Sequence, residues 1–423
     1  MVRFVRLGPV AAVAWFLSFG VVRAWAQGET VTVEDCVRLA VAHSPAAHAA
    51  TRGVDAATAR VRAARAAYSP RLFGEAQYGH AAGFDEAITN GGSSAALLTV
   101  ATTLLDGGLR DAQFAAARAR LRSAGAKERQ SQADVALAAR TAYFTGVAAR
   151  AEAAIHADTL RTLRTYTELL QRQESLGLVP HNDVLRAQLA ISTEEAAERA
   201  ALAQLDAVCG ELSTLAGTSI AASALAEPEL MSVIESGDAG IEASPLMVDA
   251  HATVEAARRD ADAVRSEWRG HLDLTASGGA LGIDPGHTLT HNGGGQFLFG
   301  FNLPIFDSGG TAARIAAAVA DAAGAEANAA AARQTVVIAL QRAAVEARRA
   351  QQDLTAWQQA VPRAAESFQL MRARFFGGGN VRLLEVLDAL AQQVDTRLNA
   401  SRAQLAYRLA VATQYQILGE ALP

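Results

Sequence analysis

The sequence predicts an α+β membrane protein, in which short β-strands from several chains close a transmembrane barrel that runs straight into a tunnel of long α-helices. Three observations carry this prediction. The chain is written twice. Its strands alternate between apolar and polar residues. Each repeat also holds a helix much longer than a globular domain uses.

The duplication shows at four landmarks. Ser44-Pro45 recurs as Ser244-Pro245, at an offset of 200. Asp106-Gly107-Gly108 recurs as Asp307-Ser308-Gly309-Gly310, at an offset of 201 for the aspartate. DVLRAQ, from Asp183, recurs as EVLDAL, from Glu385, and Gly217 recurs as Gly419, both at an offset of 202. Alanine-rich helices can match one landmark by chance, but not the order and spacing of all four.

Each half reads the same way. A helix opens it, Val33–Tyr68 or Ser244–Trp268. Two strands follow: Arg71–Gly83 and Ser94–Leu105 in the first half, His271–Gly282 and Gly295–Phe306 in the second. Gly, Asn and Asp fill the intervening loops, FDEAITNGG and IDPGHTLTHNGGG, as hairpin connections require. A very long helix comes next, Gly108–Ser175 or Gly310–Phe375, then a turn at LGLVP or GGGN and a helix returning to Leu215 or Leu418. The organisation is therefore a leader over residues 1–26, a first repeat over 27–217, a linker with little regular structure over 218–243 and a second repeat over 244–423.

The leader has Arg3 and Arg6, an apolar run and the small-residue pattern Ala24-Trp25-Ala26, which together read as a secretory signal cleaved before Gln27. An uncleaved N-terminal anchor is the alternative, but the apolar run is short for a membrane span. The full sequence, leader included, has 38 basic and 43 acidic residues, a net charge of -5, which argues against a nucleic-acid partner. After the leader no run of about 18 uncharged apolar residues occurs, so any membrane crossing must be made by strands. Cys36 and Cys209 are the only cysteines, too few for a disulfide framework and without zinc-site spacing. Export permits a bond between them, while two buried apolar thiols is the plainer reading.

The last strand decides the setting. Phe297, Phe299, Phe301, Leu303 and Ile305 share one face, while Gln296, Gly300 and Asn302 share the other. The repeat offset puts Ala96, Leu98, Val100, Thr102 and Leu104 on the matching face of the second strand. In the third strand Leu272, Leu274 and Ala276 oppose His271, Asp273, Thr275 and Ser277. This is the alternation of an outer-membrane barrel, with apolar residues toward lipid. A soluble sheet would need a cover that the helices, committed to one another, do not supply. Four strands cannot close a barrel, whose smallest members have about eight. Three copies would give twelve.

The segment Gly310–Phe375 would span about 100 Å at ~1.5 Å per residue. Only Gly324 and Pro362 interrupt it. Leu and Ile heptads are sparse, so a plain coiled coil fits less well than a cylinder of small-residue helices. At Asp106-Gly107-Gly108 and Asp307-Ser308-Gly309-Gly310 each strand passes into this cylinder. Gly107, Gly108, Gly309 and Gly310 allow the change of dihedral, and Asp106 or Asp307 can satisfy the free amides of the new helix.

With these residues quoted, the chain resembles the TolC-type outer-membrane efflux proteins over nearly all of its mature length. The motifs that carry the likeness are the VTVEDCVRLAVAHSP opening, the two strand–(D)GG–helix junctions, the two helical turns and the duplication. The resemblance implies a homotrimer with a twelve-stranded outer-membrane barrel, continuous with a periplasmic α-helical barrel. It implies a periplasmic adaptor and an inner-membrane transporter as partners. It also implies that acidic residues line the entrance at the periplasmic tip. Those residues here are Glu385 and Asp388, three apart on one helix face, with Asp183 as the first-half counterpart of Glu385. Converging carboxylates raise some of their own pKa values and select cations, although a solvated acidic pair on a helix surface has the same spacing. The turns at Gly177, Leu178, Gly378 and Gly379 are where members of the family meet the adaptor, and a glycine that ends a helix serves there equally.

The chain departs from the family at the latch of the tip. Phe376 and Val381 stand where the resemblance implies polar partners for the Asp183 carboxylate, leaving Arg374 or Arg382 as substitutes. No enzyme signature is present. The nine histidines make no HExxH, Gly377-Gly378-Gly379 lacks a following Lys-Ser/Thr, and G-x-S-x-G does not occur. The sequence therefore calls for no cofactor or metal. A periplasmic adaptor or coiled-coil scaffold is the competing reading, and the duplication weighs against it.

Overall fold

The computed structural model describes residues 30–80, 83, 92–234, 237–282, 293–377 and 381–420. The leader, most of both hairpin loops, Gly378 and Gly379 lie outside the described residues. Elements run in the order α1 (Val33–His43), α2 (Pro45–Ala66), β1 (Arg71–His80), β2 (Gly92–Leu105), α3 (Leu109–Ser175) and α4 (His181–Ala216). The second half follows with α5 (Asp238–Ala243), α6 (Pro245–Glu267), β3 (His271–Gly282), β4 (Gly293–Asn302), α7 (Gly310–Phe376) and α8 (Leu383–Leu418).

Two expectations need correction. The opening helix is two helices, because Ser44 leaves the helical region (ψ 123) and restarts the chain as an N-cap, its Oγ accepting the Ala47 amide at 3.4 Å. Pro45 at the first position has no amide to lose. Ser244 does the same with Met247 at 3.4 Å, ahead of Pro245. The linker is also more ordered than its composition suggests. It holds a 3-10 turn at Ala222–Ala224 and the helix α5. The Val31 amide bonds Ala224 O at 2.7 Å, and the Ala226 amide bonds Val31 O at 3.1 Å. The hydroxyl of buried Tyr143 lies 2.8 Å from both Val31 O and Ala226 O, which share its one proton, and Tyr407 donates to Met231 O at 2.9 Å. Those links strap the linker across the helices.

The four strands form one antiparallel sheet in the order β1-β2-β3-β4, with β1 and β4 as its open edges. Register places Leu72 opposite Val100, Val100 opposite Ala276, and Ala276 opposite Phe297, so these share one face. Phe299 with Leu274, and Phe301 with Leu272, extend it. Phe297, Phe299 and Phe301 are each at least 65% exposed, because nothing in the protomer covers them. β4 stops at Asn302, so Leu303 and Ile305 lie past the ladder, although both remain exposed. The opposite face carries Thr99, bonded to Ser277 at 3.1 Å, and Thr103, which donates to Asp273 at 2.7 Å.

The long helices carry a seven-residue repeat built on alanine and not on leucine. In α3 the buried residues Ala112, Ala119, Ala126, Ala133, Arg140 and Val147 recur every seventh position. In α7 Ala322, Ala329, Val336, Ala343 and Ala350 do the same. A strict seven-residue period winds helices into a left-handed supercoil. Alanine in that seam brings the axes closer than leucine would.

Candidate functional site: the helical tip and the strand–helix junctions

The tip is built from two helical hairpins. α3 ends in a left-handed residue, Gly177 (φ 68). The Leu178 amide reaches Gln173 O at 2.9 Å and the Gly177 amide reaches Glu174 O at 2.8 Å, which satisfies the last carbonyls of the helix. His181 Nδ1 lies 2.6 Å from Glu174 Oε1 and braces the turn. Leu176 and Leu178 are thereby thrust outward, more than 70% exposed. In the second hairpin, the Gly377 amide bonds Ala373 O at 2.9 Å and α8 begins at Leu383.

The acidic residues divide between these hairpins. Glu385 and Asp388 are exposed on one face of α8, opposite buried Leu383, Val386 and Leu390. Asp183 is half-buried in the first turn of α4, so it joins the other two only through packing of the two hairpins. Asp183 and Glu385 also complement the positive ends of their helix dipoles. Among the described residues none of the three forms an ion pair, and neither Arg374 nor Arg382 reaches Asp183.

Ion pairs of Arg397 with Asp158 at 3.2 Å and of Arg402 with Glu152 at 3.1 Å join α8 to α3 farther from the turns, but near the tip the contact between the hairpins is aromatic and aliphatic. Tyr166 of α3 stacks on Phe376 of α7, with ring centroids 5.5 Å apart and planes 9° apart. Phe368 meets Tyr166 edge-on at 6.2 Å, and Phe375 meets Phe376 edge-on at 5.1 Å. Leu163, Val386 and Leu390 complete the cluster. Burial pushes the Tyr166 phenol above its ordinary value, against the opposing pull of Arg372, whose guanidinium lies 5.8 Å from the ring centroid. From sequence, Phe376 stands out only as the absence of a polar partner for Asp183. The Phe375-Phe376 pair beside a turn was the available signal, in a chain with only 6% aromatics.

At the first junction Asp106 Oδ1 accepts the Gly108 amide at 3.1 Å, and Oδ2 accepts the Arg110 amide at 3.0 Å and Arg110 Nε at 2.6 Å. Partial burial raises the Asp106 pKa, but these hydrogen bonds and the Arg110 charge outweigh it and hold the carboxyl below its ordinary value. At the second junction Asp307 Oδ1 accepts the Gly309 amide at 3.1 Å, and Oδ2 accepts the Thr311 amide at 2.5 Å. The bonds from Thr311 lower the pKa of Asp307 too. Each aspartate thus acts from two residues before a left-handed N-cap glycine, Gly108 (φ 94) or Gly309 (φ 85), and not from the N-cap position itself. An open cavity of about 830 Å³ lies beneath the first junction, with Arg71, Asp106, Arg110, Glu267, His271 and Asp273 in its polar lining.

The model of the outer membrane efflux protein family matches residues 36–218 and 239–420, one match per repeat. The chain belongs to that family. Membership places it in the outer membrane. Among curated relatives, Protein CyaE of Bordetella pertussis is 31% identical over 190 residues, 43% of this chain and 38% of the relative. The aligned stretch thus spans less than half of that relative's length. A membrane protein from Pseudomonas aeruginosa superposes with a TM-score of 0.79 at 21% identity, over 91% of this chain and 93% of that one. The outer membrane protein VceC from Vibrio cholerae gives 0.78 at 18% identity, over 92% and 96%. Such likeness extends the shared fold to strands, junctions and both helical hairpins.

Proposed function

We propose that three copies of this chain close a twelve-stranded barrel in the outer membrane, and that the barrel continues into a helical tunnel forming a passive exit duct. The observation that supports this best is the sheet. It has four strands, two open edges and an exposed phenylalanine face, and it feeds a helix of 67 residues at each junction. Pairing β4 of one copy with β1 of the next removes both edges. Phe297, Phe299, Phe301, Leu272 and Leu274 then face lipid, while Thr99, Asp273 and Ser277 face the lumen.

In this reading the duct serves a tripartite efflux or type I secretion system that exports small molecules or ions. A periplasmic adaptor docks on the turns at Gly177, Leu178, Gly378 and Gly379, where Leu176 and Leu178 offer apolar contact. The adaptor links the duct to an inner-membrane transporter. Glu385 and Asp388 form rings of three carboxylates each at the entrance, with Asp183 beside them. No step of this function is catalytic.

The test is single-channel recording of the purified trimer in a planar bilayer. Wild-type protein is expected to give small, cation-selective currents that divalent cations block. Glu385→Gln/Asp388→Asn should lose both selectivity and block. Channels indifferent to that change would discard the acidic entrance and keep the duct. Folded trimers without channels would discard the duct.

A further inference from the structure

We infer that the tip of this protein is latched by the rings of Tyr166 and Phe376, an apolar stack between the two hairpins of each protomer, and not by hydrogen bonds or ion pairs. The inference rests on the duct reading and names the residues that hold its entrance shut.

Phe376 is the last residue of α7 and Tyr166 lies about three turns before the end of α3, so the stack sits beside the second turn and roughly 15 Å short of the first. Its parallel geometry, the edge-on Phe368 and the edge-on Phe375 make one continuous aromatic contact. Drawing the α7–α8 hairpin away from α3 must break it. Tyr166 is buried, with 8% of its surface exposed, yet among the described residues its hydroxyl has no hydrogen-bond partner. A polar latch would use that hydroxyl. Here it is carried into the cluster at a cost, so the ring is what the site retains. The Arg372 guanidinium, 5.8 Å from the ring centroid, adds attraction to the π-system. The nearby carboxylates of Asp183, Glu385 and Asp388 make no ion pair among the described residues.

This divides the work at the entrance. The acidic positions act on which ions pass, and the aromatic stack acts on how often the entrance opens. Salt weakens ion pairs strongly and buried ring stacking hardly at all, so the closed state is expected to persist at high ionic strength.

The experiment compares open probability and ion selectivity of full-length trimers in planar bilayers, at low and high salt. Each aromatic pair is worth a factor of about 2–10, and a trimer holds three stacks. Phe376→Ala should therefore raise open probability about tenfold or more while leaving cation selectivity in place. Phe376→Leu keeps an apolar side chain and should give a smaller rise, which guards against a folding defect in the alanine variant. Tyr166→Phe keeps the ring and should stay latched. Glu385→Gln/Asp388→Asn should change selectivity without reproducing the rise. A Phe376→Ala trimer, intact by gel and as closed as wild type, would overturn the inference. So would opening by Tyr166→Phe, which would reveal a working hydroxyl partner supplied by the neighbouring copy. Absence of channels in every variant would instead remove the duct itself and the latch with it.

Discussion

The helices α3 and α7 are each 67 residues long and hold the same place in the two repeats, yet α3 buries 25 residues and α7 buries 9. The difference follows from their neighbours. α3 packs against α2, α4, α6 and α8, whereas α7 packs chiefly on α6 and α8. One repeat therefore supplies the interior of the protomer, and the other keeps a long alanine-rich face free. The junctions differ in the same sense. Gly107 and Gly108 are half-buried, while their counterparts Ser308 and Gly309 are exposed, although Asp106 and Asp307 are both half-buried. A duplicated sequence has thus diverged into an inner half and an outer half. Closing the sheet pairs β4 of the outer half with β1 of a second copy's inner half, so both halves meet a neighbour there.

The sharpest way to break this comparison is at the turn itself. Gly107 has φ 62, and a Cβ there would lie 2.6 Å from Arg269 Cβ. Arg269 Nη1 also donates to Gly107 O at 3.0 Å, so the contact cannot simply open. Gly107→Ala is expected to cost on the order of 3 kcal/mol, combining strained backbone with overlap. Denaturant midpoints of detergent-solubilised protein measure it. A neutral result would mean that the first junction is no more enclosed than the second.

Second in size is a pair of alanine substitutions. Ala133 is fully buried in the seven-residue seam of α3, and Leu there should cost about 1–3 kcal/mol by overpacking. Ala330 is exposed on α7, and Leu there should leave the protomer within about 0.5 kcal/mol. If α7 faces a second copy, Ala330→Leu should still lower the temperature at which trimers dissociate on a gel. Equal folding costs for the two would erase the distinction between the helices.

Much of this was legible beforehand, for local reasons. The strand faces follow from alternation, and the junctions follow from Asp and Gly, whose chemistry acts within four residues. The long helices follow from an absence of breakers. What escaped depends on contacts distant in sequence. Nothing around Val31 announces a bridge to Leu225, because an isolated pairing has no periodicity to read. Tyr166 and Phe376 meet only after two hairpins have folded side by side. The alanine seam was present in the sequence, but a search for leucine heptads does not count alanine as a core residue. The split at Ser44-Pro45 was different, since the serine cap and the proline were visible signals overridden by the run of helix formers on either side.

A smaller effect separates the two aspartates. Asp106→Ala removes the acceptor for two amides and Arg110 Nε and should cost about 1–2 kcal/mol. The same change at Asp307, which accepts two amides but no arginine, should cost less. The sign of the pH dependence follows from the shift. A carboxyl held below its unfolded pKa stabilises the fold at higher pH, and that contribution is lost as pH falls through the folded value. Wild-type protein should therefore lose stability below about pH 4, and Asp106→Ala should lose less of it there. Thermal melts between pH 3 and pH 6 would show the two curves converging. Parallel curves would mean that Asp106 is not what the acid reaches.

The smallest effect is expected at Ser308, the counterpart of Gly107 and the one non-glycine residue with positive φ (54°) among those described. Ser308→Gly relieves a left-handed serine, which favours the fold by about 1 kcal/mol, but frees the unfolded chain by nearly as much. The net change should stay within about 0.5 kcal/mol. A side chain is tolerated here because the protomer brings nothing against it. At the first junction Arg269, in the turn between α6 and β3, fills that space. The repeat places Ser69, between α2 and β1, at the position of Arg269, and in a closed ring the α2–β1 turn of the next copy comes to the uncovered junction. Cysteines at Ser69 and Ser308 should accordingly cross-link subunits into covalent trimers under oxidation. Cross-linking within the protomer by this pair, or none at all in intact trimers, would show that the second junction is not where the copies join.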